Sequence, residues 1–292
     1  MKLLPRSDGI TKKTAFKFGV GGLELTAMCI PALLLVLLFN YVPMFGLLIA
    51  FKEYSFDKGI LGSKWVGLDN FRFFFTSQDV WNVTRNTIVM NLLLILISNV
   101  FSIILALVLY EITSRALIKI YQTVLFFPYF ISWVVVAYVA GAFLNESYGI
   151  FNKFLETAGL NPISWYGEPK LWPFILVFMG TWKNIGYHTV IYYSSLMSIN
   201  HEYFEAAAID GCTKIKMVRH ISLPFIMPVV IMLVLLSVGR IFYSDFGLFW
   251  FLPMQSGILY PVTDVIDTYV FRSLRVVGDI GMASAVNFYQ SL

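Results

Sequence analysis

Five long apolar runs constrain this 292-residue chain more than any other feature. Each matches the roughly 20 residues that a helix needs to cross about 30 Å of hydrocarbon. We place the runs at about residues 25–50, 86–110, 121–144, 171–197 and 222–243. They do not alternate apolar with polar residues, as the strands of a membrane barrel would, so helices are expected. The pattern therefore predicts an all-α, polytopic membrane protein.

The composition agrees with a membrane location and excludes nucleic acid as a partner. Hydrophobic residues make up 58% of the chain and charged residues 13%, a balance at which a soluble domain would aggregate. The formal net charge is +4, and no dense basic patch is present to displace counterions from phosphates. The two cysteines, Cys29 and Cys212, fall in a predicted span and a predicted loop, so we expect neither a disulfide nor a metal site.

The first and the last apolar runs differ from the rest. The first follows a basic tail, as a secretory signal would, but it is too long for a signal and lacks a small-residue cleavage site. We interpret it as a retained anchor. A sixth run begins near Gly281, from which 12 residues remain, too few to cross a bilayer. We therefore expect that the last span is incomplete here and that the natural protein continues past Leu292.

Three prolines lie inside predicted spans, Pro31 and Pro43 in the first and Pro128 in the third. Each removes one helical hydrogen bond. Inside a membrane, neighbouring helices can satisfy the freed carbonyl groups. We therefore expect kinks at these positions rather than breaks.

Lysine and arginine residues predict the orientation of the spans, because short loops rich in them stay cytoplasmic. Such segments occur at the N-terminus, at 111–120 and at 198–220, whereas the longer loops are dilute in positive charge. The N-terminus is therefore predicted to be cytoplasmic. We expect one transmembrane domain over residues 1–292, with a basic tail at 1–24, a first span and an outward loop at 25–85, and a core at 86–292.

A polar, helix-capable segment at 200–224 separates the fourth and fifth spans. Asn200 is placed to cap a helix whose first turn holds Glu202, and Gly211 suits a left-handed stop. Thr213 is placed to cap a second short helix, and Pro224 is tolerated at the start of the fifth span. Small residues on one helical face would let another backbone approach closely; this face holds Phe204, Ala207, Ala208 and Gly211. On spacing alone, a solvated connector between spans is an equally good interpretation.

The same segment resembles a known family. Glu205-Ala206-Ala207, Asp210-Gly211, Ile221 and Leu223-Pro224 resemble the "EAA loop" of permease subunits in binding-protein-dependent ABC importers. Segments 65–71, 127–133 and 219–224 are similar to carbohydrate permeases that serve oligosaccharides and polysaccharide fragments, among them permeases of bacterial alginate importers. Cys212 stands where the family usually has alanine.

The resemblance implies a six-span type I importer fold with a coupling helix that lies along the membrane and docks on a separate ATPase. The docking residues would be Glu205, Ala206, Ala207, Asp210, Gly211, Leu223 and Pro224. The implied partners are a second permease, two copies of an ABC ATPase that bind ATP and Mg, an extracytoplasmic solute-binding protein and a carbohydrate. The implied location is the bacterial cytoplasmic (inner) membrane. The chain itself has no Gly-x-x-x-x-Gly-Lys-Ser/Thr loop, so it is expected to hold no nucleotide and to be no enzyme by itself.

Polar residues in the fourth span indicate a transport path, because intramembrane charges are costly and often functional. Lys183, Asn184, Tyr187 and His188 share a polar side of this helix. Arg240 and Tyr243 lie at the end of the fifth span, and such aromatic, amide and cationic groups suit a saccharide. Two alternatives stay open: Lys183 binds helix-end carbonyls, and Arg240 pairs with Asp245 or lies at the membrane interface.

Other functional classes are less well supported. An ion-coupled secondary sugar transporter is the main alternative, although no acidic residue lies deep in a predicted span. A membrane-embedded enzyme would need a converging catalytic set, and only three histidines exist. His201-Glu202-Tyr203-Phe204-Glu205 lacks the second histidine of a zinc protease helix. A purely structural scaffold would leave the polar fourth span unexplained.

Overall fold

A computed structural model describes residues 20–291, and the side chains of 25–291 apart from Phe73. Of the predicted basic tail, residues 1–19 lie outside the described part. The described residues are helical except for loops and one antiparallel ribbon, in which β1 (Lys52–Glu53) pairs with β2 (Lys64–Trp65). The predicted all-α architecture is therefore confirmed, with this two-residue ribbon as a small addition.

The α-helices of the described residues follow the apolar and polar runs of the sequence. Their bounds are α1 (Val20–Val36), α2 (Gly59–Gly62), α3 (Asp69–Thr76), α4 (Asp79–Tyr110), α5 (Arg115–Phe130), α6 (Trp133–Leu144), α7 (Ile150–Thr157), α8 (Trp172–Met197), α9 (Glu202–Ile209), α10 (Lys214–Met217), α11 (Leu223–Val238), α12 (Phe246–Phe251), α13 (Tyr260–Thr263), α14 (Ile266–Arg272) and α15 (Ile280–Ser291). Short 3₁₀ segments run over Val42–Phe51, Pro169–Leu171 and Gly257–Leu259, and π-helical turns over Leu37–Tyr41, Val218–Ser222 and Ser273–Val277.

The chain divides into two units, one ending at Leu48 and one beginning at Ile49. In the first unit α1 stays continuous through Pro31, and the helix changes to π and then 3₁₀ geometry around Pro43. Pro43 offers no N–H and therefore donates no hydrogen bond to the preceding turn, and the change of geometry begins in that turn, at Leu37. Every described side chain from residue 25 to residue 45 is exposed, as a lipid-facing span requires.

In the second unit, α4 is the element around which the others pack. Its 32 residues give a length of about 48 Å. It contributes to three apolar clusters, which we call the central, far and loop-side clusters. The central cluster includes Met90, Val136, Trp172, Leu176 and Leu248. The far cluster includes Phe74, Val83, Ile266, Tyr269 and Met282. The loop-side cluster includes Ala106, Tyr192, Leu196, Ile226 and Val230.

Three continuous helices of the described residues are long and apolar enough to span a membrane: 25–51, 79–110 and 214–238. The predicted fourth span coincides with the 26-residue α8, whose polar residues lower its hydropathy. The sixth predicted span begins as expected, because α15 starts at Ile280. The fifth ends earlier than predicted, at Val238.

The predicted third span is the main correction. Instead of a kink at Pro128, the chain breaks after Phe130 and α6 leaves α5 at an angle of 96°. Pro128 lies in the last turn of α5, where the N–H of Ile131 still reaches its carbonyl at 3.2 Å. Ser132 then caps α6 by accepting the N–H of Val135. A helix stop and a new helix start in adjacent residues explain the break.

Amide side chains of α4 hold the segment between α11 and α15. Asn91 donates to the carbonyls of Ile241 at 2.7 Å and Tyr243 at 3.2 Å. Asn86 donates to the carbonyls of Pro261 and Asp264. These bonds satisfy backbone groups that no helix satisfies, and they fix this segment to the end of α4 distant from the 200–224 loop.

Candidate functional site

The loop at 200–224 folds as its local residues predict. The N–H of Glu202 donates to the side chain of Asn200 at 3.1 Å as α9 begins. Gly211 ends that helix with φ +74°, a conformation that a residue with a Cβ adopts at a cost. Thr213 caps α10 by accepting the N–H of Lys216. The predicted cap by Thr213 and the glycine stop are therefore confirmed, whereas the N-cap position of α9 is His201 and Asn200 acts from the residue before it.

The two faces of α9 differ in what they contact. The ring of Phe204 lies 5.7 Å from that of Tyr110 and packs on the loop-side cluster. Ala207, on the same side, is half-buried. The opposite side is open, and Ile209 there is 87% exposed. We call the exposed residues Glu205, Ala206, Ile209 and Asp210 the open face.

This arrangement corrects one expectation about the loop. Of the face expected to receive another backbone, Phe204 packs on the loop-side cluster and Ala207 is half-buried, whereas Ala208 and Gly211 are exposed. Leu223 is also half-buried against the loop-side cluster. Pro224 and Gly211 are exposed. Among the predicted docking residues, those of the open face and these two are therefore accessible.

A second site forms where α5 breaks. The amine of Lys183, on α8, donates to the carbonyl oxygens of Pro128 at 3.2 Å, Tyr129 at 2.8 Å and Ile131 at 2.6 Å. Lys183 is buried, with 8% of its surface exposed. A cation is favourable at a helix C-terminus, where carbonyl groups lack partners. The alternative in which Lys183 binds helix-end carbonyls is therefore the one observed.

The other side of this break is held by Trp133 and Asp245. The indole N–H of Trp133 donates to Asp245 at 2.7 Å. The same carboxylate caps α12 by accepting the N–H groups of Gly247 and Leu248. A Cβ atom on Gly247 would clash with the indole of Trp133, so a residue without a side chain is needed there. We call residues 128–133 with these contacts the elbow.

Close approach of α5 and α8 brings aromatic rings together beside the elbow. A Cβ atom on Gly186 would clash with the carbonyl of Leu125, so the two backbones nearly touch. The ring of Tyr187 stacks on Tyr129, with centroids 5.3 Å apart and planes 14° from parallel. Phe126 continues the stack at 5.5 Å from Tyr129. Tyr129 and Tyr187 are each 40% exposed, which leaves ring surface for a ligand.

The remaining predicted path residues are not all gathered at the elbow. The side chain of Asn184 donates to Gly180 on its own helix at 3.0 Å. His188 is half-buried and stacks on Tyr192. Arg240 and Tyr243 are exposed after α11. Among the described residues Arg240 makes no ion pair with Asp245, because that carboxylate is occupied by Trp133 and by α12.

The 200–224 loop and the elbow both lie in a part of the chain that matches a known family. The model of the family "Binding-protein-dependent transport system inner membrane component" matches residues 98–277. This range holds both the elbow and the whole 200–224 loop. The chain belongs to this family. It is therefore an inner-membrane permease component of a binding-protein-dependent transport system, and the secondary-transporter alternative is set aside.

Two relatives of this permease come from Bacillus subtilis (strain 168). Protein LplB is 32% identical over 265 residues, which cover 91% of this chain and 83% of the relative. The polygalacturonan/rhamnogalacturonan transport system permease protein YteP is 30% identical over 264 residues, with 90% and 82% covered. The permease is thus similar to these proteins over more than four-fifths of their lengths.

Solved structures place the permease in the same fold. It matches a chain of a bacterial ABC transporter that imports the acidic polysaccharide alginate, with a TM-score of 0.84 and 31% identity over 92% of this chain and 90% of that one. A second structure, with an alginate pentasaccharide-bound periplasmic protein, gives a TM-score of 0.83, also at 31% identity, over 92% and 89% of the two chains. The type I importer fold expected from the sequence is therefore confirmed.

Sequence reasoning missed several polar residues of this permease. Asn86, Asn91 and Asn99 lie inside a predicted span, and within the described part of the chain only Asn99 of these three bonds to a side chain on another span, that of Tyr192 on α8. Three amides in one apolar run were the available signal, because an amide in lipid needs a partner.

Among the described residues no group of three or more His, Cys, Asp or Glu is placed to hold a metal ion.

Proposed function

We propose that this permease forms, with a second permease, the inner-membrane path for an acidic oligosaccharide or polysaccharide fragment. An extracytoplasmic solute-binding protein delivers the substrate. Two copies of an ABC ATPase, which bind ATP and Mg, supply the energy, so this chain is a non-catalytic subunit. The names of its relatives support the substrate class, since polygalacturonan, rhamnogalacturonan and alginate are all acidic polysaccharides.

The observation that carries the ATPase partner is the open face of α9. Two isoleucines of this polar loop are strongly exposed, Ile209 to 87% and Ile215 to 81%, and apolar side chains among polar ones suit a surface that another protein covers. Glu205 and Asp210 flank Ile209 and supply charge that fixes the register of docking. Gly211, Pro224 and the half-buried Ala207 and Leu223 shape the loop and join it to α11. Together these residues form the proposed docking element.

The substrate path is proposed to pass the aromatic rings beside the elbow. Tyr187 offers a partly exposed ring in a fixed orientation, because it is stacked on Tyr129. Flat apolar ring faces with nearby polar groups suit saccharides. Arg240 and Tyr243, both exposed, supply a cation and a hydroxyl that suit a carboxylated sugar. Asn184 and His188 are secondary candidates, and Lys183 acts by holding the elbow in place.

We also propose an orientation of the permease in the membrane. A basic tail at residues 1–24 and a cytoplasmic 200–224 loop are consistent with the distribution of lysine and arginine. The N-terminus is then cytoplasmic in the bacterial inner membrane. The elements at 52–85, 145–170 and 244–280 are outward, where the solute-binding protein docks. Cysteine-accessibility labelling of Lys214→Cys, in a chain whose own two cysteines are replaced, tests this orientation.

The test of the function is ATP-driven uptake by the complex that co-purifies with the tagged permease. Glu205→Lys and Gly211→Pro are expected to abolish uptake of labelled oligogalacturonate or oligoalginate together with stimulated ATP hydrolysis. Lys119→Glu, a charge reversal at an exposed site on α5 that lies outside both the 200–224 loop and the outward elements, is the control and is expected to transport normally. Wild-type uptake by both loop variants would refute the proposal.

The path has its own test. Tyr187→Ala is expected to raise the substrate concentration needed for half-maximal uptake, whereas Tyr187→Phe keeps the ring and is expected to change it little. Equal behaviour of the two variants would exclude ring stacking by Tyr187. The ATPase activity measured without substrate serves as the control, since neither variant touches the open face of α9.

A further inference from the structure

Phe204 is the residue by which α9 enters the helical bundle. Its ring lies 5.7 Å from that of Tyr110, with 41° between the planes. It packs on the loop-side cluster, in which Tyr192, Leu196 and Ile226 are each 0% exposed. Those residues belong to α8 and α11, whereas Tyr110 is the last residue of α4. Since packed interiors do not deform continuously, a displaced Phe204 displaces its neighbours.

A second contact joins the same loop to the same end of α4. Lys214, the first residue of α10, forms an ion pair with Glu111, which follows Tyr110 directly. The loop therefore contacts the end of α4 twice, through the ring of Phe204 before Gly211 and through the charge of Lys214 after it. This charge pair is exposed and weak by itself, so the ring contact carries most of the connection.

The far part of α4 continues this connection. Between the two ends, Asn99 bonds to Tyr192 and Ser102 donates to the carbonyl of Ile185 on α8. Beyond them, Asn91 binds the carbonyls of Ile241 and Tyr243. The segment that Asn91 holds is the one that carries Arg240 and Tyr243. A single rigid helix thus links the loop to residues of the proposed path.

We propose that Phe204 and Tyr110 form a transmission contact, a pair of positioning residues through which movement of the 200–224 loop reaches α4. This inference rests on the proposed function, because a docked ATPase has to supply the movement. Docking and transmission then use opposite faces of α9. The open face binds the ATPase, and Phe204 transmits the displacement to α4, a helix that does not adjoin the loop in sequence.

The two roles predict different defects. Phe204→Ala is expected to keep the ATPase subunits bound and to keep hydrolysis without substrate within about twofold, while substrate moved per ATP falls roughly tenfold, a size usual for coupling between sites. Ile209→Glu is expected instead to reduce the amount of ATPase that co-purifies. Tyr203→Ala is the matched control, because Tyr203 precedes Phe204 on α9 and contacts Phe225 rather than α4.

The experiment is a comparison of these variants in proteoliposomes containing the co-purified complex, with thermal unfolding recorded for each. Tyr110→Leu, which leaves the whole loop unchanged, should reproduce the Phe204→Ala defect, and Phe204→Tyr should restore coupling. If Phe204→Ala does not fold, Tyr110→Leu decides the question alone. Normal substrate movement per ATP in the folded variant, or loss of bound ATPase, overturns the transmission contact. A wild-type chain that retains no ATPase would overturn the proposed function instead.

Discussion

The amine of Lys183 lies 2.6 Å from the carbonyl oxygen of Ile131, in the residue pair that separates α5 from α6. Two further carbonyls of the same turn bind this amine. A break inside a membrane protein leaves backbone acceptors that lipid cannot satisfy. A lysine from α8 satisfies them here, which explains why a buried cation and a 96° bend occur at the same place.

Lys183→Met is expected to destabilise the elbow. The methionine fills similar space but leaves carbonyl groups without a donor, at a cost of about 1–3 kcal/mol. The midpoint of thermal unfolding of the purified complex should therefore fall. Asn184→Ala is the control, because among the described residues Asn184 bonds only to the carbonyl of Gly180 on its own helix, and it should change the midpoint less. An unchanged midpoint together with unchanged transport would show that Lys183 neither stabilises the elbow nor contributes to the transport path.

Gly186→Ala is expected to separate α5 from α8. The added methyl group meets the carbonyl of Leu125, which is backbone and cannot rotate away. Overpacking of this kind costs about 1–3 kcal/mol or more, and it also shifts Tyr187 relative to Tyr129. Gly257→Ala is the matched control, since nothing lies within 4 Å of the added atom. Equal unfolding midpoints for the two variants would contradict this tight contact.

Local features of this permease were predictable from sequence, whereas those that need a distant partner were not. Gly211 and Thr213 act within four residues of themselves, so their roles follow from local chain geometry. The break at the elbow depends on the amine of Lys183, which is 52 residues from Ile131 in the sequence. Pro128 alone indicated only a kink. Phe204 is similar: its helix was predictable, but the face that packs inward is decided by Tyr110 on another span.

Asp264 and Arg272 are expected to stabilise the segment between α11 and α15. The Arg272 guanidinium binds both carboxylate oxygens of Asp264, and Asp264 is nearly buried. Breaking a buried pair by removing one partner costs about 3–5 kcal/mol, because the other charge is left unpaired. Asp264→Asn should therefore lower the unfolding midpoint strongly. The exposed pair of Lys64 and Glu53 offers the comparison, and Glu53→Gln should have little effect.

The ion pair of Glu111 and Lys214 is expected to contribute modestly to coupling. Both side chains are exposed, so either charge reversal should cost no more than about 1 kcal/mol and the cost should shrink at high salt. Glu111→Lys with Lys214→Glu restores the pair in reverse. Substrate movement per ATP should be lower in each single variant and return in the double variant. A double variant as defective as the worse single one would argue against a direct pair.

We propose that the 200–224 loop receives work from a separate ATPase. The most direct measurement is uptake of a labelled acidic oligosaccharide into proteoliposomes, with and without the ATPase subunits and ATP. Uptake is expected only when permeases, ATPase, ATP and solute-binding protein are all present, and none is expected with Glu205→Lys. Uptake by the purified permease chains in the absence of any nucleotide-hydrolysing subunit would contradict the proposal.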